Sequence, residues 1–297
     1  KEKDKEFGLH KYIVEPEYDG YEIGEYLKET KGYSGRGLRK LEIYLNGKKI
    51  KNTAKKVRKL NRILIVEKEK KTGIRPMEIP LDIVYEDENL LVLNKQANLV
   101  THPTTKKVDA TLANGVVAYF LKTTGKTMVP RFYNRLDMNT TGLIIVTKNA
   151  YSQAYLQEKT EVRKSYQTIV KGMVEQDEFY ITRPIGKVGE DLRRVELPVE
   201  KGGQEAKTFV KVLKRFPQKN RTLLEVTLFT GRTHQIRAHL SLEGYPIVGD
   251  DLYGGSEETI KRQLLHAYRL CFQNPKNAEE QEIVIDLPQD MKDYLNG

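Results

Sequence analysis

Seventeen lysines and arginines crowd residues 28 to 75, against only four acids, Glu29, Glu42, Glu67 and Glu69, an excess of 13. The whole chain of 297 residues carries +10, so everything outside that stretch must total −3. The basic character therefore belongs to one segment, and the chain divides around it. Length agrees, since single cores seldom grow beyond ~250 residues and two domains are the natural expectation. A run of lysines is most simply a solvated face. Clustered this densely it also suits a polyanion, because cations gain affinity by releasing condensed counterions from phosphates.

Several classes are excluded early. The longest apolar stretches, such as Ile63 to Val66 and Leu143 to Val146, are far shorter than the ~20 residues a membrane helix needs. Lys1 to Phe7 alternates acids and bases, which is not the pattern of a signal peptide. The one cysteine, Cys271, permits neither an internal disulfide nor a cysteine-rich zinc site. The expectation is a cytoplasmic protein with no membrane span.

Within the basic segment, Ile23 to Lys28 reads as a short helix broken by Gly32, Gly35 and Gly37. Leu38, Leu41, Tyr44 and Leu45 recur at three- and four-residue steps, as on one face of a further helix. Asn46-Gly47 signals a tight turn between Ile43 to Leu45 and Lys49 to Lys51. Val57, Leu60 and Ile63 to Val66 supply apolar anchors. The result is a small α+β unit with Arg36, Arg39, Lys40, Lys48 and Lys49 on or near its turns. The charge run Glu67 to Lys71, with Gly73 and Pro76, reads as a linker.

Beyond the linker the chain is strand-rich. Strands are expected at residues 83–86, 90–94, 142–148, 166–171, 208–213 and 223–229, with helices at 111–122 and 149–159. A mixed, largely antiparallel sheet with helices on its faces accounts for them. Familiar chemistries find no support. Gly125-Lys126-Thr127 lacks the earlier glycine of a phosphate-cradling loop, since that position is Phe120, and His234 and His239 do not have metalloprotease spacing. The five histidines are more simply structural hydrogen-bonders, so no metal is expected.

Two segments hold groups suited to a polar site. Asn134 to Gly142 puts Arg135, Asp137 and several hydroxyls on an irregular connection before a strand. Thr230 to His239 carries Arg232, Thr233, His234, Gln235, Ile236 and Arg237 where a strand ends and a helix begins. Such junctions are where sites sit. If the helix already includes Thr233 and His234, they share a face with Arg237. A helix N-terminus beside Arg232 would attract phosphate. By spacing alone, a structural ion pair and a functional site are equally good readings.

The two segments together resemble the RluA/RluD-type pseudouridine synthase family, with its Arg-Leu-Asp before Thr-Ser-Gly and its Thr-Gly-Arg-Thr-His-Gln-Leu-Arg signature. Further similarity runs in order through Asn94-Lys95, His102-Pro103, Lys148-Asn149, Lys164 to Tyr166, Pro246 to Asp250, Tyr253-Gly254 and Leu265 to Ala267, roughly residues 80 to 290. The string Ser34 to Lys48 resembles the RNA-binding domain named after ribosomal protein S4, although Asn61-Arg62 stands where that family commonly has Gly-Asp.

These resemblances imply an S4-like RNA-binding domain at 1–75 and a pseudouridine synthase catalytic domain at 76–297. They imply an RNA pseudouridine synthase that detaches uracil from its ribose, turns it and rejoins it through C5, with no cofactor or metal. Asp137 matches the catalytic aspartate, as nucleophile or as base, and Arg237 its partner. Tyr166 matches the tyrosine that stacks on the base, and Arg135 the arginine that fills the gap left by a flipped uridine. Arg232, His234, Gln235 and Ile236 would complete substrate binding, and Arg36, Arg39, Lys40, Lys48 and Lys49 the general grip on RNA. The implied partner is structured RNA, large-subunit ribosomal RNA first and transfer RNA second, met by a monomer. A non-catalytic RNA-binding protein on the same fold is the competing class. Asn134 for the usual histidine, Thr141 for serine and Gln96-Ala-Asn98 for Pro-Ala-Gly bear on substrate choice more than on activity.

Overall fold

The computed structural model describes residues 9–67, 72–104 and 109–297. Lys1 to Phe7 and most of the expected linker, Lys68 to Lys71, lie outside the described residues.

The basic segment folds around a sheet of its own. It runs β1 (Leu9–Ile13), α1 (Ile23–Lys31), the one-turn α2 (Gly35–Leu38), β2 (Leu41–Leu45), β3 (Lys48–Ile50) and β4 (Arg62–Glu67). The strands lie antiparallel in the order β1-β4-β2-β3. Asn46 and Gly47, with φ of 48° and 80°, make the expected hairpin turn. Ser34 caps α2 by accepting the Gly37 N–H at 3.0 Å.

Two expectations fail here. The helix through Leu38, Leu41, Tyr44 and Leu45 stops at Leu38, because Gly35 and Gly37 leave it only one weak turn. Ile43 and Leu45 instead point into the core at strand spacing, paired with β3 and β4. Leu60 is no anchor: it sits at φ 62° and is 71% exposed. The core here gathers Ile23, Tyr26, Leu27, Leu38, Ile43, Ile63 and Ile65, and among the described residues only Tyr151 joins it from outside.

The remaining chain continues with β5 (Ile83–Glu86), β6 (Leu90–Lys95), α3 (Leu112–Thr124), β7 (Arg131–Phe132), β8 (Thr141–Thr147), α4 (Ala150–Glu158), β9 (Arg163–Lys171) and β10 (Glu178–Ile181). After the short ribbon β11 (Ile185–Gly186) and β12 (Val195–Glu196) come β13 (Thr208–Phe216), β14 (Arg221–Leu228), α5 (Gln235–Leu242), β15 (Leu265–Gln273), β16 (Glu280–Val284) and α6 (Gln289–Asn296). Ten of these strands form one sheet in the order β10-β13-β14-β9-β15-β8-β6-β5, with β7 beside β8 and β16 beside β15. Among the described residues only β8 and β15 pair in parallel, so the α+β fold with a mixed, largely antiparallel sheet is as the sequence predicts.

β8 is buried along its whole length because both faces are covered. Leu143 and Ile145 pack with Leu156 of α4, while Ile144 and Val146 pack with Leu112, Val116 and Phe120 of α3. A third core joins α5 to β9, β13, β14 and β15 through Ile236, Leu240, Val210, Val226 and Leu265, and Leu136 inserts into it. β15, β16 and α6 were not legible as elements. His266 and Arg269 interrupt the apolar pattern of β15, which becomes interior only through its neighbours. No helix among the described residues is long and apolar enough to cross a membrane.

Candidate active site

The connection from β7 to β8 is held from three sides. Leu136 is sunk in the core beside Tyr166 and Ile236, which fixes its neighbours Arg135 and Asp137. Asn134 acts as a strand extension: its Oδ1 accepts the Ile145 N–H at 2.9 Å and its Nδ2 donates to the Leu143 carbonyl at 3.2 Å. From β6, Lys95 Nζ donates to the carbonyls of Gln96, Leu99 and Met138 at 2.8, 3.0 and 2.9 Å. From the far end of the chain, Arg262 donates to the Asn139 carbonyl at 3.3 Å while Asp290 grips it at 2.6 and 2.8 Å. Gln263 donates to Thr140 Oγ1 at 3.1 Å.

Lys95 is nearly wholly buried. Burial draws its ammonium down to about 7, with the Asp137 charge working the other way and Arg262 adding to the fall. Gly142 closes the connection at φ 115°, where a Cβ would lie 2.2 Å from the Ala267 carbonyl oxygen of β15. Only glycine permits this approach of two parallel strands.

The second segment departs from expectation at its start. α5 begins at Gln235, and His234 precedes it in the left-handed region at φ 56°, so Thr233, His234 and Arg237 do not share a helical face. The kink still serves the site. His234 Nε2 comes to 3.8 Å from Asp137 Oδ2, and its Nδ1 lies 3.0 Å from the Tyr253 hydroxyl. Burial lowers the His234 pKa, so the imidazole is neutral at pH 7 and meets Asp137 as a polar group, not as a cation.

Arg237 is divided between two carboxylates. Its Nε and Nη2 donate to Asp250 at 2.7 and 2.9 Å, and its Nη1 donates to Asp137 Oδ2 at 3.0 Å. The guanidinium also lies 5.1 Å from the centre of the Tyr253 ring. Burial opposes its charge, but hydrogen bonds and attraction from Asp250, then from Asp137, more than offset this and raise the pKa further. Tyr166, on β9, is buried, and desolvation followed by the Asp137 charge pushes its phenol up.

Asp137, Tyr166 and Arg237 line one cavity of about 460 Å³, together with Arg135, Arg232 and His234. A second cavity, of about 490 Å³, opens on another side of Asp137 beside His102, Met138 and Leu192. A third cavity, of about 760 Å³, lies elsewhere, between β1, α1 and α4, and holds none of the expected site residues. The third cavity is also polar, with Lys11, Glu29, Lys31 and Lys159 among its lining, but the paired Asp137 and Arg237 face only the first two of the three, which makes these the candidate site.

Other expected residues sort differently. Gln235 and Ile236 border the cavity but mainly build it. The Gln235 amide accepts from Thr230 Oγ1 and the Arg232 N–H and donates to the Lys207 carbonyl and Thr208 Oγ1, and Ile236 packs into the core. Arg36, Arg39, Lys40, Lys48 and Lys49 are exposed on α2 and the β2–β3 hairpin and line none of the three cavities. Lys49 is already paired with Glu42 at 2.7 Å. Lys95, Asp250, Tyr253 and Arg262 were not singled out from sequence. The first three stand in the short matching strings Asn94-Lys95, Pro246 to Asp250 and Tyr253-Gly254, which was the available signal. Arg262 had none. His239 and His266 are structural, as expected, each bonding a threonine hydroxyl and a backbone carbonyl.

A sequence model of the family described as RNA pseudouridylate synthase matches residues 89–242. An uncharacterized RNA pseudouridine synthase of Aquifex aeolicus is 33% identical over 84% of this chain and 83% of its own length. The ribosomal large subunit pseudouridine synthase D of Yersinia pestis is 32% identical over 95% and 87%. Among solved structures, human RNA pseudouridylate synthase domain containing 4 superposes with a TM-score of 0.59 at 22% identity, covering 72% of this chain and 92% of that one, a likeness of fold.

Proposed function

The chain belongs to the RNA pseudouridylate synthase family and is an RNA pseudouridine synthase; from that premise we propose that it modifies uridines of large-subunit ribosomal RNA, using Asp137, Tyr166 and Arg237. The convergence of these three groups on one cavity, with Asp137 and Arg237 3.0 Å apart, carries the assignment of roles. The ribosomal role in the names of relatives such as the Yersinia pestis protein supports ribosomal RNA as the substrate.

In this reading the cavity receives a flipped uridine, at a cost of a few kcal/mol in lost stacking and pairing. Asp137 acts at the ribose, as nucleophile or as base, while the N1–C1′ bond breaks. The uracil turns, C5 joins C1′, the C5 proton is lost to solvent and N1, freed from the sugar, takes one up. Arg237, clamped by Asp250, supports the aspartate with a charge-assisted hydrogen bond. Tyr166 keeps its proton at neutral pH, so it stacks and donates and does not serve as a phenolate base. Arg135, exposed at the rim of both cavities beside Asp137, fills the space the uridine vacates. Isomerisation consumes nothing, and the reading includes no cofactor.

Residues 1–75 then form an S4-like RNA-binding domain and 76–297 the catalytic domain. Separate sheets and separate cores support this division. The reading takes the protein as a cytoplasmic monomer. Tritium release from C5-labelled uridine in ribosomal RNA tests the reading: wild type should release it, and Asp137→Asn should abolish release while RNA affinity stays within a few fold. Release by the Asp137→Asn variant would remove Asp137 from the chemistry. Release from transfer RNA alone would move the substrate.

A further inference from the structure

At the end of β13 and β14, on the sheet face turned away from α5, three aromatic rings gather at the surface. Strand alternation puts them there: Ile181, Val210 and Val226 go to the core, so Tyr180, Phe209 and Phe229 go outward. The Tyr180 ring centre lies 4.9 Å from that of Phe209 and 6.1 Å from that of Phe229. Tyr180 is 56% and Phe229 51% exposed. Lys207 Nζ stands 4.9 Å from the Tyr180 ring centre and 5.1 Å from that of Phe229.

Two further observations say what would cover this surface. Lys207 and Arg232 form no ion pair among the described residues, and the Arg232 guanidinium is held only through Nε, by the Glu205 carbonyl at 2.9 Å. Rings interleaved with uncompensated cations suit a ligand with flat apolar faces and negative links between them. The patch lies across the end of β14 from the candidate active site, on the opposite face of the sheet. Phe229 lies between Leu228 on one side and Gly231 and Arg232 on the other, all of which line the cavity. A strand leaving the cavity over this rim meets the rings next.

We propose that Tyr180 and Phe229 are a stacking platform for unpaired nucleotides flanking the target uridine, with Lys207 and Arg232 meeting their phosphates. Every base has a π-face, so such a platform holds a single strand without reading its sequence. The platform rests on the RNA-modifying role proposed above.

The chain contains no tryptophan, so Phe229→Trp places one reporter on the platform. The full-length variant is titrated with a fluorescein-labelled oligouridylate of about a dozen nucleotides, within the site sizes typical of such binders. Indole quenching should follow the same midpoint as the anisotropy of the label. Tyr180→Ala with Phe229→Ala should weaken binding roughly tenfold or more, as expected for lost base stacking. Binding without quenching, unchanged affinity of the double variant, or no binding of the oligouridylate would each overturn the platform. Concentration-dependent indole changes without RNA would overturn it in favour of a second copy. Tritium release by wild type decides separately whether the ribosomal RNA reading stands.

Discussion

Arg237 illustrates how unequal its two carboxylate partners are. Asp250 is fully buried and takes two of the three hydrogen bonds, so it fixes the guanidinium, whereas Asp137 is a quarter exposed and takes one. The catalytic candidate is thus free to engage a substrate without releasing a buried charge. Lys95 is a second case in which a buried charge sets geometry, here by gathering three carbonyls beneath Asp137. Its ammonium is drawn from 10.5 to about 7 by burial. Between those values the unfolded chain holds a proton that the folded chain has given up, so stability must rise with pH across that window. Urea unfolding should show a gain of about 2 kcal/mol for wild type between pH 7 and 9 that Lys95→Met lacks. Parallel profiles for the two proteins would mean that the lysine stays charged in its pocket. Arg-Leu-Asp was readable as a candidate site at this scale once the family resemblance was added to its spacing. The supports were not, because Lys95 and Arg262 reach the loop from positions up to 123 residues away and Asp250 acts on it only through Arg237.

At the scale of elements, the parallel contact of β8 with β15 decides where the site forms. Thr141 and Gly142 lie opposite His266 and Ala267, and Asp137 stands just before that junction. Gly142 is there both for its φ of 115° and for the lack of a Cβ against the Ala267 carbonyl. Gly142→Ala should therefore cost more than ~3 kcal/mol or prevent folding, exceeding what backbone strain alone accounts for. Gly125→Ala is the matched control: φ is 71° with open space around it, so only the left-handed penalty of about 1 kcal/mol applies. Similar losses in urea unfolding would mean that β15 can move aside. Most strands were legible from alternation and the β2–β3 hairpin from Asn46-Gly47. The start of β2 was not, since Leu38, Leu41 and Leu45 fit a helical step until β4 supplies a partner.

Across the whole molecule, cationic surface and candidate cavity occupy different units. Arg36, Arg39, Lys40 and Lys48 are exposed on the N-terminal sheet and its helices, while the cavity draws on Arg135, Arg232 and Arg237. The units touch through Tyr151 of α4, whose ring centre is 4.7 Å from that of Tyr33 and 4.9 Å from that of His10. Removing residues 1–75 should weaken ribosomal RNA binding and flatten its salt dependence, by about 0.7 to 0.9 in log–log slope for each phosphate that the protein then leaves unneutralised. A slope unchanged from wild type would mean that these lysines face only water.

Charge segregation, the two dense motifs and the strand-rich composition are local properties, and from them the sequence by itself determined the class of fold and proposed a division of the chain and Asp137 and Arg237 as candidates, to which the family resemblance added Tyr166. The tertiary structure alone decided what holds them. A buried ion such as Asp250, Lys95 or Arg262 is tolerable only where its partners already wait, and those partners are brought together by sheet order and not by position in the chain. The outward rings of Tyr180 and Phe229 follow the same logic, because which face of a strand meets water is settled by what packs on the other.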